Sequence, residues 1–439
     1  MQTSTIKFSQ IEDRIDAEYY KPEYLEVKEK LDKSKGVKFL GDIVNVIMNG
    51  VEFRTYSLSG KPYLRVSDIK EIFMDLSDVK YIPENIEFSK NTELLGGDVL
   101  TSRSGTLGIS AIAPKAGSII SSHLIRISPK KEINSYYLVV FLNSRYGRLQ
   151  ILQKNNGAVV PEINQPSLKS LKIPIPSQSF QQKIEKMVKG VQEKRKLADG
   201  KYKEAEEILN KELGLEDLDL STQKTFEAKF SEAGDRFDPE YYKPIYKNVY
   251  KYLKKKSKPL TEVCKIIKTK ISPQNNPEKI FNYIEIGGIN NSTGEIEKVL
   301  NLRGWEVPSG VKYVVKNNDV LLSAVRTYLK GIALVNNNHE GDIATTGFHV
   351  LREPIIKPET LFLFLRSRVG LIQFEKFFLG STYPVIKGYD LKNIMIPILS
   401  QPLQQKISSL IQESFKLRQE AKELIDRAKK DVEEMVERN

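Results

Sequence analysis

The chain carries one long segment twice, and this duplication restricts its possible folds more than any other feature. RIDAEYYKPEY at Arg14–Tyr24 returns as RFDPEYYKPIY at Arg236–Tyr246. FLNSRYG at Phe141–Gly147 returns as FLRSRVG at Phe364–Gly370, and the difference in residue number between the copies is almost the same for both motifs. Because the offset hardly drifts across half of the chain, the sequence predicts two similar folded halves in tandem and not a solenoid of short repeats.

The loops between the shared segments differ sharply. Val51–Ser59 reads VEFRTYSLS, whereas the corresponding Thr269–Glu278 reads TKISPQNNPE. Ser102–Gly108 reads SRSGTLG, whereas Ser323–Lys330 reads SAVRTYLK. Since loops on a rigid scaffold often carry function, a shared scaffold with divergent loops predicts two modules that perform one kind of task on two different targets.

Each half combines predicted strands with a predicted helix. Short apolar runs separated by Gly, Asn and Pro predict strands of a mixed sheet or partial barrel, at Val44–Met48, Tyr63–Ile69, Val99–Thr101, Ile109–Ala113 and His123–Ile127. Helical spacing over Tyr136–Leu152 follows a capping Asn134-Ser135 pair, and Pro358–Phe378 has the same spacing in the second half. A loop, GAVVPEIN or GSTYPVIK, and a short apolar-proline strand then precede the end of each half.

Each half ends in a predicted long helix. Ser177 and Ser400 are candidate N-caps, and Gln181 and Gln404 fall near the capping-box position. Apolar residues alternate in steps of four and three, a 3.5-residue repeat with Arg195 and Arg418 in matching slots. This narrow stripe favours an antiparallel pair of helices, while two independent amphipathic helices, each lying on its own domain, remain the alternative. The predicted seam residues are Ile184, Val188, Val191, Ala198, Tyr202 and Ala205 in the first helix, and Ile407, Ile411, Ala421, Ile425 and Ala428 in the second.

Composition points to a polyanionic partner and a reducing compartment. The 68 Lys and Arg residues exceed the 56 Asp and Glu residues, giving a formal net charge of +12, which suggests a partner such as nucleic acid. The single cysteine, Cys264, excludes a disulfide framework and a Cys-based zinc site. The N-terminus lacks the pattern of a signal peptide, and no apolar run approaches the roughly 20 residues of a membrane span. We therefore expect a cytoplasmic protein with no membrane association.

Motifs for catalysis are missing from the sequence. It contains no Gly-rich phosphate loop, no Gly-x-Gly turn for a nucleotide or adenosylmethionine, no Asn/Asp-Pro-Pro-aromatic motif and no His-Glu-x-x-His. The nuclease-like string DPEYYK places Glu240 and Lys243 three residues apart, whereas a shared strand face needs a spacing of two. We expect a packed turn there, with local ion pairs or scaffold contacts at Arg14–Asp16 and Arg236–Asp238. The chain is predicted to be non-catalytic, with no cofactor and no metal.

The sequence resembles a type I restriction–modification specificity subunit over nearly its whole length. The resemblance rests on DRIDAEYYKPEY and DRFDPEYYKPIY opening the halves, on GDVLTSRSGTLG, and on LKSLKIPIPSQSFQQKI and LKNIMIPILSQPLQQKI closing them. It implies an α+β fold with a pseudo-two-fold tandem duplication. Two mixed α/β target-recognition domains, at 1–176 and 221–399, would be separated by an antiparallel coiled coil of two long helices at 177–220 and 400–439.

The resemblance also implies a role and partners. Each domain would read one half of a split double-stranded DNA target, and the long helices would set the distance between the halves. Two methyltransferase subunits would bind the chain, and a restriction subunit with translocase activity would join them. The chemistry belongs to those partners, so the resemblance supplies no catalytic residue. Since SRSGTLG becomes SAVRTYLK in the second half, the carry-over of base-contacting roles there is weaker.

Candidate DNA-binding residues combine a divergent loop with a side chain that can read base edges or grip phosphates. Arginine can bridge guanine, Gln and Asn can bridge adenine, and residues near the domain-closing loops can contact phosphates. The candidates are Arg54, Tyr56, Arg65, Arg103, Ser104, Thr106, Lys154, Asn155 and Asn156 in the first half, and Gln274, Asn275, Arg326, Tyr328, Lys330 and Lys387 in the second.

Three other functions compete with split-site recognition. The chain could be a fused enzyme that both reads and modifies DNA, which the missing cofactor and methylation motifs disfavour. It could be a coiled-coil adaptor with no nucleic-acid role, which the net charge and the divergent polar loops disfavour. It could also be a DNA-binding protein of another restriction–modification type.

Overall fold

The chain divides into two compact units. A computed structural model describes residues 11, 14–88, 92–114, 116–157, 159–214, 218, 220–221, 225–227, 236–253, 257–380 and 382–438. Unit 1 draws on residues 1–195 and 419–439, and unit 2 on residues 196–418. None of the helices among these described residues is long and apolar enough to cross a membrane.

Unit 1 contains helices on a set of small sheets. Its helices are α1 (Pro22–Lys33), α2 (Ser135–Asn143), α3 (Arg145–Gln153), α4 (Gln165–Lys169) and the first part of α5 (Gln178–Glu212). Its strands are β1 (Val37–Phe39), β2 (Val44–Asn49), β3 (Lys61–Leu64), β4 (Lys80–Ile82), β5 (Val99–Ser102), β6 (Ser110–Ile112), β7 (Ile119–Ile120), β8 (Leu124–Pro129) and β9 (Lys172–Pro174). The sheets have the orders β2-β8-β5-β6, β4-β3-β7 and β1-β9, and β3 pairs parallel to β7.

Unit 2 repeats this arrangement. Its helices are α6 (Pro244–Leu253), α7 (Leu260–Val263), α8 (Pro358–Arg366), α9 (Arg368–Glu375) and the first part of α10 (Gln401–Arg438), together with the end of α5. Its strands are β10 (Ser257–Pro259), β11 (Lys265–Ile266), β12 (Ile280–Ile284), β13 (Leu300–Arg303), β14 (Tyr313–Val314), β15 (Val320–Ser323), β16 (Ile332–Leu334), β17 (Ile343–Ala344), β18 (Phe348–Arg352) and β19 (Met395–Pro397). The sheet orders are β11-β18-β15-β16, β13-β12-β17-β14 and β10-β19.

The two units share one topology, which confirms the predicted tandem duplication and the mixed α/β class. In both, a four-stranded antiparallel sheet holds the strands on either side of the divergent loop, namely β5 and β6 or β15 and β16. A second sheet contains one parallel pair, β3 with β7 or β12 with β17. Unit 2 adds β14 to this second sheet.

The helix predicted over residues 136–152 is interrupted, and so is its counterpart over 358–378. Ser144 ends α2 and caps α3, since its Oγ accepts a hydrogen bond from the Gly147 amide. Ser367 does the same for Gly370 between α8 and α9. A side chain at Gly147 or Gly370 would place its Cβ 2.2 Å from the carbonyl oxygen of Phe141 or Phe364. The shared Ser-Arg-x-Gly motif therefore explains the break, which helical periodicity alone does not reveal.

Two other local predictions also need correction. The strand predicted over Tyr63–Ile69 ends at Leu64, and a 3-10 turn over Val66–Asp68 follows it. Asp68 folds the turn by accepting the Arg65 amide at 2.8 Å. Gln181 makes no capping box: its side chain accepts from the Asn134 amide and donates to the Pro176 carbonyl.

The long helices pair in antiparallel fashion within each unit. In unit 1, Lys183 contacts Asp431 at 2.7 Å and Lys194 pairs with Glu420. The two residue numbers add up to 614 in each pair, and a constant sum means that the helices run in opposite directions. In unit 2, Lys201 contacts Glu413 at 3.1 Å, which gives the same sum. The predicted seam residues are buried: Ile184, Val188, Val191, Ala421, Ile425 and Ala428 in unit 1, and Ala198, Tyr202, Ala205, Ile407 and Ile411 in unit 2.

An ion pair with a buried carboxylate recurs in both units. Arg126 Nε lies 2.6 Å from Asp98, and both side chains are at most 4% exposed. Arg352 and Asp319 repeat the pair at 2.7 Å. These pairs link β8 and β18 to the residues that precede β5 and β15, and removal of either arginine would leave a buried carboxylate uncompensated.

The motifs that open the two halves, RIDAEYYKPEY and RFDPEYYKPIY, contact the chain just after α3 and α9, respectively. Arg14 pairs with Asp16, and Arg236 pairs with Asp238, each at 2.7 Å. The same arginines donate to the carbonyl oxygens of Asn155 and Phe378, respectively. The expected local ion pairs and scaffold contacts are thus present, and they hold the start of the loop that follows each helix.

Candidate nucleic-acid interface

Two divergent loops meet at the same place in each unit. The hairpin loop joins β5 to β6 (residues 103–109) or β15 to β16 (residues 324–331), and the closing loop follows α3 (residues 154–164) or α9 (residues 377–387). In unit 1 an antiparallel bridge joins Ser104 to Glu162, and in unit 2 one joins Val325 to Val385. The Ile163 amide donates to the Arg103 carbonyl at 3.0 Å. Segments that lie far apart in the sequence therefore form one surface in each unit.

The hairpin loop needs left-handed backbone at two points. In unit 1 glycines supply it, with φ of +76° at Gly105 and +75° at Gly108. In unit 2 the corresponding residues are Arg326, at φ +49°, and Lys330, at φ +61°. Residues with a Cβ rarely adopt this conformation, and where they do so it is costly. The presence of two basic residues where unit 1 has two glycines is the clearest difference between the hairpin loops of the two units.

Unit 1 gathers four of the predicted residues around one cleft. The cleft has a volume of roughly 580 Å³, and Arg54, Tyr56, Arg65 and Ser104 line it. His123, which the sequence did not mark as a binding residue, contributes a ring whose Nδ1 lies 2.8 Å from Ser104 Oγ. The floor is aromatic, since the rings of Tyr56 and Tyr63 lie 5.9 Å apart and Phe53 packs on Tyr63. This combination of flat apolar surface and polar tips suits contact with base edges and sugars.

Each arginine of this cleft region is paired with a carboxylate. Arg54 Nε lies 3.0 Å from Glu52, yet the Arg54 side chain remains 86% exposed. A hydrogen bond from Ser122, and then one from Arg54, lower the pKa of the Glu52 carboxyl. The Glu52 carboxyl therefore stays charged near neutral pH, and a carboxylate at the cleft can accept a hydrogen bond from a cytosine amino group.

Arg65 and Arg103 are held more firmly. Arg65 contacts Asp68 at 3.0 Å and Asp78 at 3.3 Å, and the hydrogen bond to Asp68 is the main cause that raises its pKa. Arg103 pairs with Glu162 and so joins the hairpin loop to the closing loop. Both arginines stabilise the surface in addition to any contact with DNA.

The remaining predicted residues of unit 1 lie outside this cleft. Asn155 organises the closing loop, because its Oδ1 accepts the amides of Gly157 and Glu162 at 3.0 and 2.9 Å. Asn156 Nδ2 donates to Ser167 Oγ at 3.1 Å. Both line a second cleft with Arg14 and Asp16. Lys154 lies at the C-cap of α3, and Thr106 is exposed at the tip of the hairpin loop.

The predicted residues of unit 2 fall into separate groups. Arg326 and Tyr328 share the hairpin loop: Arg326 stacks on Tyr383 with 4.3 Å to the ring centroid, and Tyr328 packs on Phe378. Gln274 supports a turn near β13, donating to the Val307 carbonyl at 3.0 Å, and the neighbouring Asn275 is exposed. The exposed Lys387 stands at the end of the closing loop.

Lys330 belongs to a polar pocket beside α5. The pocket has a volume of about 540 Å³ and is also lined by Glu206, whose pKa is raised by burial. Behind it lies Arg366, which is 2% exposed and donates to the Lys330 carbonyl at 2.8 Å and to Tyr202 Oη at 2.9 Å. Arg366 thus fixes the end of the hairpin loop to α5. Within the shared motif, Arg366 of FLRSRVG takes the position of Asn143 in FLNSRYG. This difference between the two copies was the sequence signal that could have pointed to Arg366.

Sequence reasoning missed Tyr383, and the structure shows why it matters to the surface. Tyr383 is 62% exposed and lies beside the hairpin loop of unit 2, where the Arg326 amide donates to the Pro384 carbonyl at 2.8 Å. Its counterpart in unit 1 is Val160, which lines the cleft described above. The difference between GAVVPEIN and GSTYPVIK was visible in the sequence, but the contact between the two loops was not.

Metal-ligating side chains are scattered. Across the described ranges, no group of three or more His, Cys, Asp or Glu residues is placed to hold a metal ion. Cys264 is buried, and burial raises the pKa of its thiol to about 12.

Comparison with known proteins assigns the chain to a family. The family model of the type I restriction modification DNA specificity domain matches it twice, at residues 32–207 and 252–427. No curated protein matches the chain. Among solved structures, the type I restriction–modification S subunit from M. genitalium is 15% identical, with 91% of this chain and 95% of that chain covered and a TM-score of 0.46. The HsdS subunit from Thermoanaerobacter tengcongensis is 16% identical, with 92% and 96% covered and a TM-score of 0.29. The two family matches together span most of the chain, which therefore belongs to the type I restriction–modification DNA specificity family and is a DNA sequence-recognition subunit.

Proposed function

We propose that each unit reads one half of a bipartite double-stranded DNA target, and that the chain directs two methyltransferase subunits and a restriction subunit to that target. The observation that carries this proposal is the repeated surface at which the hairpin loop meets the closing loop. Its backbone frame is common to both units, while its side chains differ. A common frame gives one docking geometry, and different side chains give two base sequences.

Charge supports binding through the DNA backbone. The chain has a net charge of +12, and Lys154 and Lys387 stand at the ends of the closing loops. Lysine serves as a point charge for phosphate, so its loss weakens binding to all sequences equally. We expect Lys154→Ala and Lys387→Ala each to reduce the slope of log affinity against log salt by about 0.9. Lys33, which pairs with Glu29 on α1, offers a matched lysine control.

The test is to map adenine methylation in cells that express the chain with its methyltransferase subunit. Two short specified half-sites, separated by unspecified bases, are the expected result. The purified complex should then bind a duplex carrying that motif more tightly than a duplex with scrambled half-sites, at the same salt concentration. A contiguous motif, or methylation without any sequence preference, would overturn the proposal.

A further inference from the structure

The hairpin loop of unit 2 holds one arginine in a fixed and unusual position. Arg326 has a left-handed backbone, with φ +49°, at the point where unit 1 has Gly105. Its backbone amide donates a hydrogen bond to the Pro384 carbonyl, which joins Arg326 to the closing loop. A residue other than glycine in this conformation costs stability and persists only where its surroundings over-determine it, as they often do in ligand clamps.

The side chain of Arg326 is supported by an aromatic ring. Its guanidinium lies 4.3 Å from the ring centroid of Tyr383, and Nη2 donates to the Thr382 carbonyl at 3.1 Å. Its Nε is buried without a hydrogen-bond partner. Within the described residues, nothing accepts a hydrogen bond from Nη1. The stack fixes the plane of the guanidinium while part of its donor set stays unused.

The arginines of unit 1 contrast with this arrangement. Arg54, Arg65 and Arg103 are each paired with a carboxylate, which competes for the same donors. In the described part of unit 2, no carboxylate forms an ion pair with Arg326. An aromatic face supports a guanidinium without using its in-plane donors, so it leaves them for another acceptor.

We propose that Arg326 reads a guanine in the half-site of unit 2, and that Tyr383 is the positioning residue that sets the plane of its guanidinium. This inference rests on the proposed function. In the major groove guanine offers two acceptors, N7 and O6, which match the planar fork of arginine, whereas adenine offers an acceptor beside a donor. A phosphate contact would need only the charge, so the two roles respond differently to lysine.

The experiment compares adenine methylation maps for complexes that contain the native chain or a variant. Arg326→Lys keeps the charge and loses the fork, and Tyr383→Ala removes the ring. In both variants we expect the preference for guanine over the other bases to fall by about 5-fold to about 100-fold at one position of one half-site. The other half-site should be unchanged. Tyr383→Phe keeps the ring and should retain the native discrimination. Arg368→Lys, at an exposed arginine of α9, is the matched control.

A glycine variant separates reading from folding. Arg326→Gly places in unit 2 the residue type that unit 1 has at Gly105, and it relieves the left-handed strain. Its melting temperature should equal or exceed that of the native chain while the guanine discrimination is lost.

The outcomes distinguish this inference from the proposed function. If the native complex yields a bipartite motif but Arg326→Lys leaves both half-sites intact, the guanine role of Arg326 is wrong. If Tyr383→Ala leaves both half-sites intact, the positioning role of Tyr383 is wrong. If the native complex yields no bipartite motif, the proposed function itself fails.

Discussion

Replacing Gly147 or Gly370 with alanine is expected to disrupt the helix break that precedes each closing loop. In both positions the new Cβ would lie 2.2 Å from a carbonyl oxygen, of Phe141 or Phe364, where real Cβ contacts are essentially never closer than 3.0 Å. The gap must therefore widen by at least 3.0 − 2.2 = 0.8 Å. Such a movement also pulls on the cap bonds from Gly147 to Ser144 and from Gly370 to Ser367.

The size of the effect follows from these two contributions. Overpacking in a close-packed core costs about 1–3 kcal/mol, and loss of an N-cap costs about 0.5–2 kcal/mol. We expect each alanine to lower the free energy of unfolding of its unit by roughly 1.5–5 kcal/mol. For a unit of about 200 residues, this corresponds to a fall in Tm of roughly 3–20 °C.

The assay is calorimetric unfolding of the full chain, with two glycines of α5 as matched controls. A Cβ at Gly190, in unit 1, would meet only Leu424 Cδ1 at 3.8 Å, and one at Gly200, in unit 2, would meet nothing within 4 Å. Both lie inside a helix, so alanine there should stabilise by about 0.5–1 kcal/mol. If Gly147→Ala proved as stable as Gly190→Ala, the clash argument for the helix break would be refuted.

Four further predictions concern the reading surfaces and their support. Replacing Gly50–Pro176 with the segment of another family member should change one half-site only; a change in both would show that the units do not read independently. Four residues inserted into α5 next to Glu204 add about 6 Å, or about 1.8 base-pair rises, and should lengthen the spacer in the methylated motif. Arg366→Met removes the donor that several buried carbonyls share. Because an unsatisfied buried acceptor costs about 1–3 kcal/mol, this variant should lose at least that much stability in thermal unfolding, whereas Arg368→Met should lose little. Burial lowers the pKa of His349 below its ordinary value of about 6.5. As the pH falls, the unfolded chain therefore takes up a proton at this residue before the folded chain does, and unit 2 should lose stability below about pH 6.5. His349→Gln should flatten that part of the pH–stability profile.

Most of the fold could be predicted because it depends on periodicity and repetition. The 3.5-residue repeat of the long helices and the short apolar strands are both local patterns, and the duplication allowed each half to check the other. The helix break at Ser144 was not predictable in this way, because it depends on how closely Gly147 approaches Phe141. The turn after β3 depends on one side chain, Asp68, bonding back to the amide of Arg65.

The candidate interface was only partly predictable, for a related reason. Divergent loops indicated where to look, and Arg54, Tyr56, Arg65 and Ser104 do line one cleft. Which arginine is tied to a carboxylate and which rests on a ring depends on contacts between segments that lie far apart in the chain. Tyr383 is the clearest case, since its neighbour Arg326 is distant in the sequence and only the bridged loops bring them together.

Unit 1 is formed from two separate stretches of the chain, and this has a consequence for the order in which the protein is synthesised and folded. The Arg145 amide donates to Glu433, and Tyr146 contacts Glu437, so the last turns of α10 are part of unit 1. A ribosome must add the whole of unit 2 after the first part of unit 1 before the second part exists, which takes roughly 11–45 s at synthesis rates of about 5–20 residues per second. Unit 2 is continuous in sequence and is available for folding first. A nascent chain therefore waits without the α10 residues that complete the apolar cluster around Val188, and a chain terminated before residue 419 releases a complete unit 2 attached to an unfinished unit 1.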